Sequence, residues 1–268
     1  MSFRVLLCLA PLWLATAALG AEAPALPVRL TVPLEFATKS VSGRITPAVA
    51  QQLLKEKVKV GSDEPDAYEF LLETVPAKPA PEAKVKQATT PPVEDERRIR
   101  VETVEEYRAA MKRGAYTMTT FDRAMQSWFD RTSCVVLFAT QAIPSKQTRL
   151  APGWLVDMSV KILGFDGPDE EAALKAEVAK GRTLIDYRNA GKLKEFKGKA
   201  HELRFASETK EYIVQEFARG DYDRDGFEDA LISVTAVSTD GSSRDTEWYL
   251  ARWKSKQARP SIGPLVTK

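Results

Sequence analysis

Cysteine and histidine are nearly absent from this sequence, and their scarcity excludes several kinds of site. The chain of 268 residues has two cysteines, Cys8 and Cys134, and one histidine, His201. A structural zinc site takes four cysteine or histidine ligands, which is more than the chain supplies. Glycine-rich phosphate loops, nucleophile elbows and CxxC pairs are also absent. Catalysis by a pair of carboxylates alone, as in glycoside hydrolases, would not be visible from such motifs.

Long apolar runs are missing everywhere except at the N-terminus. The segment MSFRVLLCLAPLWLATAALGAEA has one basic residue, then an apolar run, then small residues, which is typical of a signal peptide at 1–20. We favour cleavage after Gly20 over cleavage after Ala23, because Pro24 would follow the second bond. Cys8 would leave with this segment, so Cys134 would have no internal disulfide partner. The sequence therefore predicts a periplasmic or secreted protein with no membrane span after cleavage.

An excess of charge of either sign is absent as well. The chain has 39 basic and 37 acidic residues, a net charge of +2, and loss of Arg4 with the signal peptide leaves +1. Such a balance gives no strong electrostatic attraction to nucleic acid or to a membrane surface. We expect neither as a partner.

Composition divides the rest of the chain into four parts. Residues 21–74 contain one predicted helix, with Thr46 as N-cap and Pro47 in its first turn. Residues 75–98 are rich in proline, alanine and charge, which predicts an extended linker. Residues 99–256 would form the main domain, and residues 257–268 a tail.

Helix signals dominate the first half of that domain. Thr103 and Glu106 form a capping-box pattern, TTFDRAMQSWFDR has an apolar stripe, PDEEAALKAEVAKG is acidic at its start, and Thr183 with Asp186 begins a short helix. Between them, SCVVLFA is predicted as a buried strand. Cys134 in this run would be a small buried hydrophobe, the alternative being a reactive thiol.

From about residue 198 the apolar pattern has a period of two. It predicts four antiparallel strands within 198–254, with a hairpin at Asp240-Gly241. The predicted fold class is therefore α+β, with a helical N-terminal half followed by a small antiparallel β-sheet. An Asp-rich loop, ARGDYDRDGFEDALISV, joins the second and third of these strands.

The Asp-rich loop is the strongest candidate for a metal site. Alternate aspartates around a glycine can direct several carboxylates to one point, and such oxygen ligands suit Ca²⁺. The twelfth position, where an EF-hand loop has a bidentate glutamate, is Ile232, so the loop is not an EF-hand and its expected Ca²⁺ dissociation constant is about 10⁻⁴–10⁻³ M. The alternative is an acidic turn whose aspartates cap backbone N–H groups. The predicted ligands are Asp221, Asp223, Asp225, Asp229 and the carbonyl of Phe227.

The loop resembles the calcium loops of the FG-GAP and dockerin-like families, in which D-x-D-x-D-G-x-x-D also adjoins a strand or a helix. That resemblance covers about nine residues, from Asp221 to Asp229, and implies a bound calcium ion. The wider stretch is similar to the C-terminal segment of a group of exported bacterial proteins with a GD-x-D-x-DG-x-EDAL signature. Because the chain has one copy of the motif, a repeat propeller is not expected.

Two functions remain open from the sequence. The first is an exported, non-catalytic protein of the cell envelope that binds a protein or a glycan, with the calcium loop in a structural role. The second is a small hydrolase that acts on envelope polymers through a pair of carboxylates. His201 is predicted at the core or rim of the sheet rather than in a catalytic triad, and Glu228 is predicted to be solvated.

Overall fold

The computed structural model describes residues 27–59, 70–73, 98–117, 120–146, 150–151, 153–165, 167–241, 243–255 and 259–265. The predicted signal peptide at 1–20 lies outside these residues. So does the predicted linker, except that its last residue, Arg98, begins a strand.

The described elements are ten strands, five α-helices and two short 3-10 helices. The strands are β1 Arg29–Glu35, β2 Ser40–Arg44, β3 Phe70–Glu73, β4 Arg98–Val101, β5 Lys194–Lys199, β6 Glu202–Ala206, β7 Lys210–Gly220, β8 Asp229–Ser238, β9 Arg244–Arg252 and β10 Ser261–Pro264. The α-helices are α1 Pro47–Leu53, α2 Val104–Lys112, α3 Thr120–Gln141, α4 Pro168–Ala179 and α5 Leu184–Asn189; the 3-10 helices are Trp154–Asp157 and Val160–Ile162.

Local capping explains why the short helices begin where they do. The Thr103 hydroxyl accepts from the Glu106 N–H while the Glu106 side chain accepts from the Thr103 N–H, and Thr183 with Asp186 repeats this arrangement. The Thr46 hydroxyl caps α1 and Pro47 occupies its first turn. These capping side chains satisfy backbone N–H donors that the start of a helix leaves without partners. The predicted starts of α1, α2 and α5 are confirmed.

Eight of the described strands form one antiparallel sheet. Its order is β10-β9-β8-β7, after which the outer edge of β7 pairs with β6 at one end and with β1 at the other. Strand β5 extends the sheet beyond β6, and β2 extends it beyond β1. Strands β3 and β4 form a separate pair. The Asp240-Gly241 turn joins β8 to β9 as predicted, with Gly241 at φ +72°.

The predicted fold class is wrong, because the described residues form a mostly β fold, and in their N-terminal half strands β1 to β4 lie alongside α1 to α3. The four strands expected within 198–254 are present as β6 to β9, but the sheet has eight described strands rather than four. Two of the added strands, KEFKGK of β5 and SVSGR of β2, are short and mostly exposed, and so lack the apolar alternation that marks a half-buried strand.

The stretch SCVVLFA is also not a strand. It forms the C-terminal part of α3, where Val135, Val136, Phe138 and Ala139 are each fully buried. A short apolar run fits a buried strand and a helix buried on all sides equally well, and only tertiary packing decides between them. Cys134 is buried here, as expected, but on a helix.

The two faces of the sheet carry separate cores. On one face, Phe217, Leu231 and Leu250 pack with residues of α1, α3 and β1. On the other, Val214, Ile232 and Ala251 pack beneath the two 3-10 helices and Leu184 of α5. The Asp-rich loop lies at the end of the central strands β7 and β8, and contacts the two cores through Phe227 and Tyr222.

Candidate metal centre

The Asp-rich loop connects β7 to β8, where Gly220 pairs with Asp229 at its base. Gly220 has no room for a side chain, because a Cβ there would lie 2.9 Å from Cγ2 of Val28 and 3.0 Å from Cβ of Ala142. Within the loop, Arg224 and Gly226 adopt φ values of +65° and +95°, which turn the chain back on itself. The position predicted for this loop is confirmed.

Three aspartates converge inside the loop. Asp221, Asp223 and Asp225 each offer a carboxylate oxygen, and these atoms all lie within 4.8 Å of one another. Asp221 is buried, whereas the other two are exposed. Three carboxylates at this separation repel one another, and a divalent cation that prefers oxygen ligands would relieve the repulsion.

Hydrogen bonds to backbone N–H groups orient these carboxylates. Oδ2 of Asp221 accepts from the Gly226 N–H at 2.9 Å, and Oδ1 of Asp225 accepts from the Phe227 N–H at 2.9 Å. Oδ1 of Asp223 accepts from the Asp225 N–H at 3.3 Å. Such bonds are typical of acidic turns with or without an ion, so they fix the loop but do not decide between the two interpretations.

The other two predicted ligands lie at the far limb of the loop. Asp229 is fully buried at the start of β8, and its Oδ2 accepts from the N–H groups of Tyr222 at 2.9 Å and Asp223 at 3.4 Å. Phe227 is half-buried and packs against the core beneath the 3-10 helices. Asp229 is thus not part of the three-carboxylate group but supports the backbone on which that group stands.

Two carboxylate oxygens are left without a partner in the protein interior. Oδ1 of Asp221 and Oδ1 of Asp229 are both buried, and neither has a hydrogen-bond donor within the described part of the chain. Burial raises the pKa of Asp221, and it raises the pKa of Asp229 to about 7. Since a buried polar atom without a partner is destabilising, a cation held by the three-carboxylate group would satisfy Oδ1 of Asp221, which the turn alone does not.

This arrangement predicts how the stability of the metal-free protein depends on pH. The folded pKa of Asp229 lies above its ordinary value, so the folded state binds a proton that the unfolded state releases. In chelator, the free energy of unfolding should therefore fall by about 2–3 kcal/mol as the pH rises from 5 to 8. Asp229→Asn should flatten this decline, and excess Ca²⁺ should reduce it, because the ion would offset the charges of Asp223 and Asp225 that add to the rise in the pKa of Asp229. Chemical denaturation at several pH values measures all three, and an equal slope in the variant would contradict the assignment.

A segment that follows α3 lies across the loop and contacts both of its limbs. We call this segment, residues 142–146, the strap. Ile143 and Asp221 exchange both backbone hydrogen bonds at 2.9 Å, and the Lys146 N–H donates to the carbonyl of Gly226 at 3.0 Å. The ring of Phe138, just before the strap, stacks on Tyr222 with centroids 5.4 Å apart. The loop is therefore joined to α3 as well as to the sheet.

A buried ionic network lies beside the loop, and sequence reasoning missed it. Glu216 is fully buried and accepts from Nε of Arg219 at 2.5 Å, from Nη2 of Arg219 at 2.8 Å and from Nε1 of Trp154 at 2.7 Å. Nδ1 of His201 lies 3.1 Å from the same glutamate. The charged residues Glu216 and Arg219 in the second half of the strand KEYIVQEFARG were the available signal.

The prediction that Glu228 is solvated is wrong. Glu228 is 3% exposed, and its Oε2 accepts from the Leu150 N–H at 3.0 Å and lies 3.8 Å from Nη1 of Arg219. The carbonyl of Leu150 in turn accepts from that Nη1. Glu228 thus fixes the chain beyond the strap to the sheet.

Two cavities lie elsewhere in the described residues. One, of about 460 Å³, adjoins α2 and α3 and contains Asp130 and Cys134. Burial raises the pKa of the Cys134 thiol, which disfavours the reactive thiolate. The other, of about 430 Å³, lies between α4, α5 and the turn from β6 to β7, and is lined by Phe165 and Tyr187 among others.

Comparison with known proteins gives no relative: no family model, no curated protein and no solved structure matches this chain. The function must therefore be argued from the residues themselves. Among the described residues, no helix combines the length and the apolar character needed to cross a membrane.

Proposed function

We propose that this protein is an exported, non-catalytic module of the cell envelope whose main sheet is stabilised by a calcium ion in the Asp-rich loop. The observation that carries the proposal is the buried, unpartnered Oδ1 of Asp221, whose carboxylate converges with the exposed carboxylates of Asp223 and Asp225. An acidic turn without an ion explains the two exposed carboxylates but leaves this buried oxygen unsatisfied.

The donor set supports calcium over transition metals. Every candidate ligand side chain in the loop is a carboxylate, and hard oxygen donors in a flexible loop suit Ca²⁺, whereas zinc prefers nitrogen and sulfur. Weak binding, in the range given above for extracellular modules, suits a compartment with millimolar calcium. The apolar N-terminal segment, typical of a signal peptide, supports export to such a compartment.

A bound ion would act on the fold by joining three parts of the chain. The loop closes the β7–β8 pair, and the strap hydrogen-bonds to it at Asp221 and Gly226. Neutralising the carboxylates would hold this junction together, so ion binding adds to the free energy of unfolding by mass action.

The hydrolase alternative has less support. The buried carboxylates of Glu216 and Glu228 contact Arg219 and backbone or indole donors, so they are already engaged inside the protein. For a binding role, the 430 Å³ cavity is the better candidate surface, since Phe165, which is 47% exposed, and Tyr187 both line it. Aromatic faces of this kind suit an apolar side chain of a partner protein or the apolar face of a sugar ring.

Thermal unfolding tests the calcium site directly. We expect excess Ca²⁺ to raise the melting temperature above its value in chelator by several degrees, and Asp225→Ala to abolish this rise. Asp245→Ala, which removes an exposed aspartate of β9 away from the loop, is the matched control and should keep the full rise. Equal melting temperatures with and without Ca²⁺ would reduce the loop to an acidic turn.

A further inference from the structure

The Asp-rich loop lacks one ligand that comparable calcium loops draw from their own sequence. Its twelfth position is Ile232, which is fully buried in the sheet core and offers no oxygen. Calcium takes six to eight oxygen ligands, more than the loop aspartates and one carbonyl supply without help. Another part of the chain, or water, must complete the shell.

Ser145 is a buried hydroxyl with no hydrogen-bond partner. The residue is 0% exposed, and its Oγ has neither donor nor acceptor within reach among the described residues. Buried side-chain hydroxyls are nearly always hydrogen-bonded, so an orphaned one indicates a partner beyond the described residues, such as a bound ion. Together with Oδ1 of Asp221 and Oδ1 of Asp229, it is one of three unpartnered buried oxygens in this region.

The backbone pairing places Ser145 on the same side as the carboxylate of Asp221. Ile143 and Asp221 face each other and exchange both hydrogen bonds, so their side chains project to the same face of this short ladder. Successive side chains alternate in extended backbone, and Ser145 therefore shares the face of Ile143. The next residue, Lys146, bonds to Gly226 on the other limb of the loop. Ser145 thus lies between the two points where the strap crosses the loop.

We infer that Ser145 donates its hydroxyl oxygen as a direct ligand to the cation held by the Asp-rich loop, an inference that rests on the proposed function. The ligand comes from outside the nine-residue motif and takes the place of the missing twelfth-position oxygen. A hydroxyl adds an oxygen without adding negative charge to a group that already holds three carboxylates. The strap therefore belongs to the metal site.

If Ser145 is a ligand, Ser145→Ala should have different effects on the metal-free and the ion-bound protein. In chelator, the variant loses only an unsatisfied buried hydroxyl, so its melting temperature should equal or exceed that of the wild type. In the ion-bound protein, it loses a ligand, so the affinity should fall by about tenfold. A merely structural role for Ser145 would lower the melting temperature in both states.

Terbium luminescence counts the water molecules bound to the ion, and so shows whether the protein has lost a ligand. Tb³⁺ replaces Ca²⁺ at oxygen sites, and Tyr222 within the loop can sensitise its emission. We expect emission lifetimes in H₂O and D₂O to report one more bound water in Ser145→Ala than in the wild type, and Ca²⁺ competition to report the lower affinity. Ser133→Ala, a buried serine of α3 away from the loop, is the matched control and should change neither value.

The outcomes separate this inference from the proposed function. An unchanged water count and affinity in Ser145→Ala, with binding lost in Asp225→Ala, would overturn the role of Ser145 and leave the calcium site standing. An unchanged water count with reduced affinity would also overturn direct ligation. If the wild type binds no Tb³⁺ and no Ca²⁺, the proposed function and this inference both fail.

Discussion

Glu216→Ala should destabilise the protein by about 3–5 kcal/mol, one of the two largest effects that we expect from a single substitution. The variant would leave the guanidinium of Arg219, which is 2% exposed, without the carboxylate that it contacts through two nitrogens. It would also remove the acceptor of the Trp154 indole N–H. Glu228 cannot replace the lost partner, because its carboxylate lies 3.8 Å from Arg219 and is held by Leu150. Urea denaturation monitored by tryptophan fluorescence measures the loss.

A second glutamate–arginine pair of the sheet is the matched control. Glu202 on β6 contacts Nε of Arg204 at 2.8 Å, but the Arg204 side chain is 57% exposed. Because solvent screens an exposed pair, Glu202→Ala should cost at most about 1 kcal/mol. Removing both partners, as in Glu216→Ala with Arg219→Met, should cost less than the sum of the two single changes. Equal effects of Glu216→Ala and Glu202→Ala would refute the assigned role of the network.

Phe138→Ala should also destabilise the fold by about 3–5 kcal/mol, since it removes a large side chain that is fully buried. Phe138 belongs to the core between α3 and the sheet, and its ring stacks on Tyr222 of the Asp-rich loop. The resulting cavity would lie next to the candidate metal centre. We therefore expect the variant to lose calcium affinity together with stability, as denaturation with and without Ca²⁺ can measure.

Phe165→Ala is the control for that prediction. Phe165 is 47% exposed, so its truncation should change the free energy of unfolding by no more than about 0.5 kcal/mol and should not alter calcium binding. If both phenylalanine variants behaved alike, the packing of α3 against the loop could not be as described.

Local sequence signals predicted most of the α-helices. One helical segment, SCVVLFA, was wrongly predicted as a strand. The capping pairs Thr103–Glu106 and Thr183–Asp186 lie within a single turn, so the sequence contains all the information that they need. SCVVLFA differs because its burial comes from the sheet and α1, which are distant in the chain. Burial on all sides removes the polar face by which a helix is recognised.

The additional strands of the sheet could not be predicted from local sequence for a related reason. Strand β1 has recognisable apolar residues, but nothing local indicates that Arg29 pairs with Arg219. Strands β2 and β5 lie at the edges of the sheet, where solvent permits polar side chains on both faces. Pairing between distant segments is decided by the whole fold rather than by a window of sequence.

The candidate site was predictable only as far as the motif extends. The spacing of the aspartates placed Asp221, Asp223 and Asp225 together, and the structure has them within 4.8 Å of one another. Ser145 and Arg219 could not be assigned to the same neighbourhood, because the strap and the end of β7 meet only after the fold is complete. The prediction that Glu228 is solvated was wrong for the same reason, because Leu150, which it contacts, is distant in the sequence.

The pairing of β1 with β7 has a consequence for how the molecule folds. The hairpins of β6 to β9 close over short turns, so they can form early and at little cost in chain entropy. Strand β1 can pair with Ala218 and Arg219 only after these hairpins have formed, and it comes from the opposite end of the described chain. Non-local contacts of this kind slow folding. The end of the outer edge of β7 at Ala218 and Arg219, which β6 does not cover, should thus remain unpaired longest. This end is therefore the segment most exposed to mispairing with another chain before β1 pairs with it.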